Sequence, residues 1–153
     1  MGMKVEVDQS GKIGDTKVPT VLAFSNGKEY AILIPATVKR ECLLRLRATT
    51  QSGKTLYLRL FAVGLYFLLK DHIREFTQIT IDLEYPGRNA EIKLYLMNLL
   101  NRKRISYNPA IIRFAQIGKK SNAHSKALAV YQKIQRPNKQ IVLAQILDEF
   151  KKP

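Results

Sequence analysis

"LYLRLFAVGLYFLLKDHIREFTQITIDLEYPG", residues 56–87, holds the turning point of the chain. Its first part, residues 56–73, is apolar on nearly every side, which predicts a helix buried against a sheet and not one lying on the surface. The longest apolar run in it, residues 60–69, stops after ten residues at Lys70, too short to cross a bilayer. The second part changes period. Ile79, Ile81 and Leu83 fall on one face and Thr80, Asp82 and Glu84 on the other, the alternation of a strand, and Pro86 and Gly87 end it. A helix that feeds a strand in this way is a crossover, and crossovers return a strand parallel to an earlier one.

On the N-terminal side, "KVEVDQSG" (residues 4–11) alternates Val5 and Val7 with Glu6 and Asp8, so Asp8 ends a first strand on the same face as Glu6. "QSGKIGDTKVP" is a connection, with a turn at Ser10 and Gly11. "TVLAFS" and "EYAILIP" read as second and third strands joined by the tight-turn signal "NGK". The opening is therefore an antiparallel meander. Pro35 ends its third strand, Thr37 is placed to cap a short basic helix "VKRECLLRLRA", and "TTQSGK" breaks that helix before the long apolar one.

On the C-terminal side, "NAEIKLYLMNLLNRKR" has apolar residues near helical spacing and a basic end that suits the helix dipole. "IIRFAQIG" reads as a fifth strand, residues 123–133 as a helix, residues 136–139 as a turn, and "QIVLAQILDEF" as a last helix. The expected fold class is α/β: a five-stranded mixed sheet with three antiparallel strands first, then parallel strands joined by helices. With 153 residues and 46% hydrophobic composition, the expectation is one domain over 1–153, residues 134–153 forming a C-terminal helical extension. The last helix either packs on its own domain or docks a homodimer mate or another protein.

Lys and Arg number 26 against 12 Asp and Glu, a net charge of +14, more than solubility requires. That excess points to a polyanion, nucleic acid (DNA or RNA) ahead of a membrane surface; a basic surface with no dedicated partner is the plainer alternative. Residues 1–76 carry 12 basic and 7 acidic side chains and residues 77–153 carry 14 and 5, so the second half holds more of the field. The lone Cys42 excludes an internal disulfide and, with no Cys/His spacing, a zinc-finger site. A reducing, cytoplasmic location is expected, with no membrane association.

Parallel neighbours bring their carboxyl ends to one sheet edge. If strands one and four are adjacent, Asp8 meets Asp82 and Glu84 there. Carboxylates brought close repel unless a cation lies between them, and hard oxygen donors suit Mg2+ or Mn2+. The plainer alternative is that each acid caps a turn or faces solvent. A second group is "IGKKSNAHSKA", residues 117–127. Gly118 leads into Lys119 and Lys120, Ser121 or Asn122 is placed to cap a helix, and His124 falls in its first turn with Lys126 behind it. Lysines beside helix N-terminal amides favour phosphate, and Ser10 and Lys12 after the first strand extend the same edge. The alternative is a solvated basic turn.

The strand and helix order, with an aspartate on the first strand ("EVDQSG") and an acid on the fourth ("IDLEYPG"), resembles the ribonuclease H-like superfamily of nucleases, resolvases and transposases. The resemblance implies that Asp8 bridges two divalent metals and that Asp82, or alternatively Glu84, binds one of them. The chain departs from the pattern in two places. Where members carry an acid on the final helix, it offers His124, Ser125 and Lys126, and its long helix starts without an acid, for which Glu41 is the nearest substitute. The implied function is hydrolysis of nucleic-acid phosphodiester bonds, with structured or branched DNA the expected substrate. Asp8, Asp82, Glu84 and His124 would be catalytic, and Ser10, Lys12, Lys119, Lys120 and Lys126 would contact phosphate. The alternatives are a non-catalytic nucleic-acid-binding module on the same fold and a subunit of a larger nucleoprotein complex.

Overall fold

Alternation on the first strand is realised as burial: Val5 and Val7 are 2% and 1% exposed, whereas Lys4 between the N-terminus and Val5 is open to solvent. The computed structural model describes residues 2–47 and 53–151. In chain order its elements are β1 (Met3–Ser10), β2 (Thr20–Ser25), β3 (Tyr30–Ile34), α1 (Ala36–Leu46), α2 (Gly53–Leu69), β4 (Phe76–Asp82), α3 (Asn89–Arg102), β5 (Ile112–Ala115), α4 (Asn122–Tyr131), β6 (Lys139–Gln140) and α5 (Leu143–Lys151). All six strands form one sheet in the order β5-β4-β1-β2-β3-β6. The first three are antiparallel, as read from the meander, and β4, β5 and β6 each join a parallel neighbour.

The two faces of the sheet are covered differently. On one, Val5, Val7, Leu22, Phe24, Ile32, Ile34, Ile79 and Ile81 pack with the buried sides of α1, α2, α3 and α5 into the main core. Twelve residues of α2 are buried, which is why its sequence carries no polar stripe. On the other face Val21, Ala23 and Ala31 meet Ala127 and Val130 of α4 in a smaller cluster. A bulge at the start of β4 sets the faces: Met3 pairs with Phe76 but Lys4 with Gln78. The extra residue sends Phe76 into the core and turns Gln78, Thr80 and Asp82 to the α4 side.

Four expectations are corrected. The sheet has six strands, not five, because Lys139 and Gln140 pair with Ile32 and Leu33, so residues 134–153 add a strand as well as a helix. Asn138 anchors this strand by exchanging two hydrogen bonds of 2.8 Å with the Ala31 backbone. A two-residue strand is too short to leave an alternating pattern. Helix α1 begins at Ala36 with Pro35 as its N-cap, so Thr37 lies inside the first turn and caps nothing. Strand β1 runs on through Ser10, and β4 stops at Asp82, leaving Leu83 and Glu84 in the following loop. The expected breaker "TTQSGK" lies largely in residues 48–52, outside the described residues.

Lys39 on α1 is fully buried, and its ammonium donates to the Lys12 and Asp15 carbonyls at 3.1 and 2.7 Å and to Thr20 Oγ1 at 3.0 Å. Three oxygen acceptors use all three of its donors. They tie the β1–β2 loop down beside the C-terminal end of β1.

Candidate metal centre at the carboxyl ends of β1 and β4

Parallel pairing of Val7 with Ile81 puts the next residues of the two strands, Asp8 and Asp82, at the same level of the sheet edge. Glu84 reaches back from the loop, and one oxygen of each of the three carboxylates lies within 4.8 Å of the others. The chain can leave β1 so abruptly because Gly11 takes φ +81°, and a Cβ there would sit 2.1 Å from the Pro19 carbonyl oxygen.

Two of the three carboxylates are held by hydrogen bonds. Asp8, 5% exposed, accepts the Gln9 N–H on Oδ1 at 2.8 Å, and its Oδ2 is 2.8 Å from His124 Nδ1. An ionised Asp8 makes Nδ1 the protonated nitrogen of that pair. Asp82 Oδ1 accepts the Ile117 N–H at 3.0 Å, which clamps the loop after β5 against the site. Burial raises the Asp8 pKa above its ordinary value; the His124 and Gln9 hydrogen bonds work against this, and the Asp82 charge adds to it. Burial also raises Glu84, with the Asp82 and Asp8 charges next in weight. Acids pushed up by burial and by each other mark a site with excess negative charge.

These side chains line an open cavity of about 640 Å³ together with Gln9, Leu83, Gln116, Ile117, Gly118 and Lys119. Gly118 makes the loop possible by adopting φ +74°. Ser121 rather than Asn122 caps α4: its Oγ accepts the Ala123 N–H at 3.1 Å while donating to Glu6 Oε1 at 2.7 Å. This second bond fixes the helix start over β1 and so aims His124 at Asp8.

The structure thus gathers Asp8, Asp82, Glu84, His124 and Lys119. Lys120 is exposed on the same loop but does not line the cavity. Ser10 continues β1 opposite Val21, and Lys12 is an exposed loop residue whose carbonyl serves Lys39. Lys126 bonds Gln135 Oε1 at 2.7 Å in a separate depression lined also by Lys28, Asn122 and Ser125. Glu41 pairs with Arg45 at the surface and does not line the cavity. Sequence reasoning missed Gln9, which is 8% exposed, lines the cavity, and has an Oε1 with no hydrogen-bond partner. Its position on the apolar face of β1 gave no signal.

The donor set can be tested for a metal. Three carboxylates converge, two of them have raised pKa values, and a neutral amide oxygen nearby is buried without a partner. All are hard oxygen donors, the set that a divalent cation of the Mg2+ or Mn2+ kind accepts and that soft thiophilic metals do not favour. The residues fit such an ion. Comparison with protein-family models, with curated proteins and with solved structures finds no match.

Proposed function

We propose that this protein is a divalent-metal-dependent nuclease on a ribonuclease H-like fold, hydrolysing phosphodiester bonds of nucleic acid. The observation that carries the reading is the convergence of Asp8, Asp82 and Glu84 within 4.8 Å, in a chain whose net charge is +14. A sheet in which β1 lies between antiparallel β2 and parallel β4 agrees with it. Asp8, Asp82 and Glu84 would hold Mg2+ or Mn2+, with Gln9 Oε1 as a neutral neighbour. Such an ion supplies a Lewis acid for the scissile phosphate and lowers the pKa of water.

The chain's own residues do the rest. Asp82 fixes the Ile117–Gly118 backbone, so Lys119 stands on the cavity wall where it offsets charge building on a phosphate. His124 orients Asp8, and with its side chain 33% exposed it is also open to a proton on the substrate. Structured or branched DNA is the substrate class proposed.

The test is cleavage of labelled single-stranded, duplex, hybrid and four-way-junction substrates with Mn2+ or Mg2+, wild type beside Asp8→Asn. Cleavage that vanishes in the variant supports the reading and identifies the substrate. The His124–Asp8 contact favours a second reading, since a histidine takes a carboxylate oxygen where the superfamily resemblance implies a further acid. Binding without cleavage by wild type in the same gels would establish that non-catalytic module.

A further inference from the structure

Helix α4 packs on β1, β2 and β3, but the same face of β4 and β5 keeps polar side chains in reach of solvent. On β4 these are Gln78 and Thr80, both partly exposed, in line below Asp82. On β5, Arg113 is exposed and pairs with Thr80; on β1, exposed Lys4 pairs with Gln78. A strand rises about 3.3 Å per residue, so Arg113 stands roughly 7 Å below the level of Asp82 and Lys4 roughly 13 Å below it. Arg113 on β5 and Lys4 on β1 flank β4 on its two sides, roughly 10 Å apart across the strands and roughly 7 Å apart along them. Glu6, between Lys4 and Asp8 on this face of β1, accepts a hydrogen bond from the Ser121 hydroxyl at 2.7 Å.

We propose that this open half-sheet is the track for the sugar–phosphate backbone of a nucleic-acid strand. Arg113 and Lys4 contact its phosphates from the two sides of β4. A second protein layer would need an apolar surface, and Lys4, Gln78, Thr80 and Arg113 offer none. A polyanion backbone lying along β4 meets a cation on each side, with Thr80 and Gln78 as neutral hydrogen-bonding groups between them. The inference rests on the nucleic-acid reading of the carboxylate site and assigns the direction in which the strand leaves it.

The test is binding of a labelled oligonucleotide, single-stranded and duplex, in EDTA over a series of salt concentrations. Lys4→Gln/Arg113→Gln is compared with Arg45→Gln/Lys54→Gln, which removes the same charge from exposed positions on α1 and α2 in the opposite layer. Each lost phosphate contact flattens the plot of log affinity against log salt by roughly 0.7–0.9. The track variant is expected to lose about 1.5 in slope and on the order of tenfold in affinity, and the control to keep the wild-type slope. Equal losses in both variants mean a diffuse field and overturn the track while leaving nucleic-acid binding intact. Failure of wild type to bind either oligonucleotide overturns the nucleic-acid reading and the track with it.

Discussion

Glu84 stands two residues beyond the end of β4, yet folding places it where burial, and then the Asp82 and Asp8 charges, oppose its ionisation. Its folded pKa lies above the unfolded value of 4.5, so stability falls as pH rises from that value through the folded pKa, and the cost is constant above it. Glu84→Gln is expected to raise the Tm of the metal-free protein at pH 7, by about 3 °C for each kcal/mol recovered, with the gain gone by about pH 4. Thermal unfolding in EDTA across that range checks it, and a Tm at pH 7 equal to or below wild type refutes it. Under the proposed metal reading, Mn2+ reverses the ranking. At a hundred times its Kd a bound ion adds about 2.7 kcal/mol to wild type, whereas Asp82→Asn should show little Mn2+-dependent rise in Tm. Lys39 is the opposite case, a buried cation whose pKa is lowered to about 8, chiefly by burial. Between about 8 and the unfolded value of 10.5 the unfolded chain binds the extra proton, so this group makes stability rise with pH in that window. Lys39→Met should lose that rise. It should also be destabilised at pH 7 by roughly 1–3 kcal/mol, because the Lys12 and Asp15 carbonyls and Thr20 Oγ1 lose their donor. Denaturant midpoints at pH 7 and pH 9 for both proteins measure the two effects.

At the scale of elements, α5 is settled as part of this molecule's own core. Ile141 and Ile146 are fully buried, Glu149 is 6% exposed and 3.4 Å from Lys103, and Leu143, Leu147 and Phe150 pack against the cluster. Phe150 also receives the Arg59 guanidinium 4.5 Å from its ring centroid. Ile146→Ala is therefore expected to cost about 2–4 kcal/mol, from lost burial plus the cavity left behind. A cost below about 1 kcal/mol in chemical denaturation would show that the helix is only loosely seated. β6 acts with α5, since its pairing to β3 and the Asn138 bonds to Ala31 fix where the last segment begins. The α4 element is placed by polar contacts at one end, Ser121 to Glu6 and His124 to Asp8, and by alanines along its length. Small residues let it approach the sheet closely, and that closeness brings His124 within hydrogen-bonding reach of β1.

For the whole molecule, a net charge of +14 makes any nucleic-acid affinity steeply salt-dependent. A tenfold or greater loss is expected across a few-fold rise in ionic strength, and a salt-independent Kd would remove the argument from charge. The sequence by itself determined the alternation of β1 and β4, the short apolar runs of β2 and β3, the apolar wrap of α2, the crossover order, and the presence of acids towards the carboxyl ends of two strands. These are local patterns, set by a period of two or of 3.6 and by Gly and Pro punctuation, so a linear reading recovers them. Only the tertiary structure decided that Glu84 joins Asp8 and Asp82 from beyond its strand, that Gln9 and the Ile117 N–H face the same cavity, and that Lys126 turns away from it. It also decided that a two-residue segment completes the sheet and that Lys39 is buried among carbonyls. The physical reason is the same in each case. These placements depend on register, on a bulge and on contacts between residues far apart in the chain, none of which leaves a periodic trace in the residues concerned.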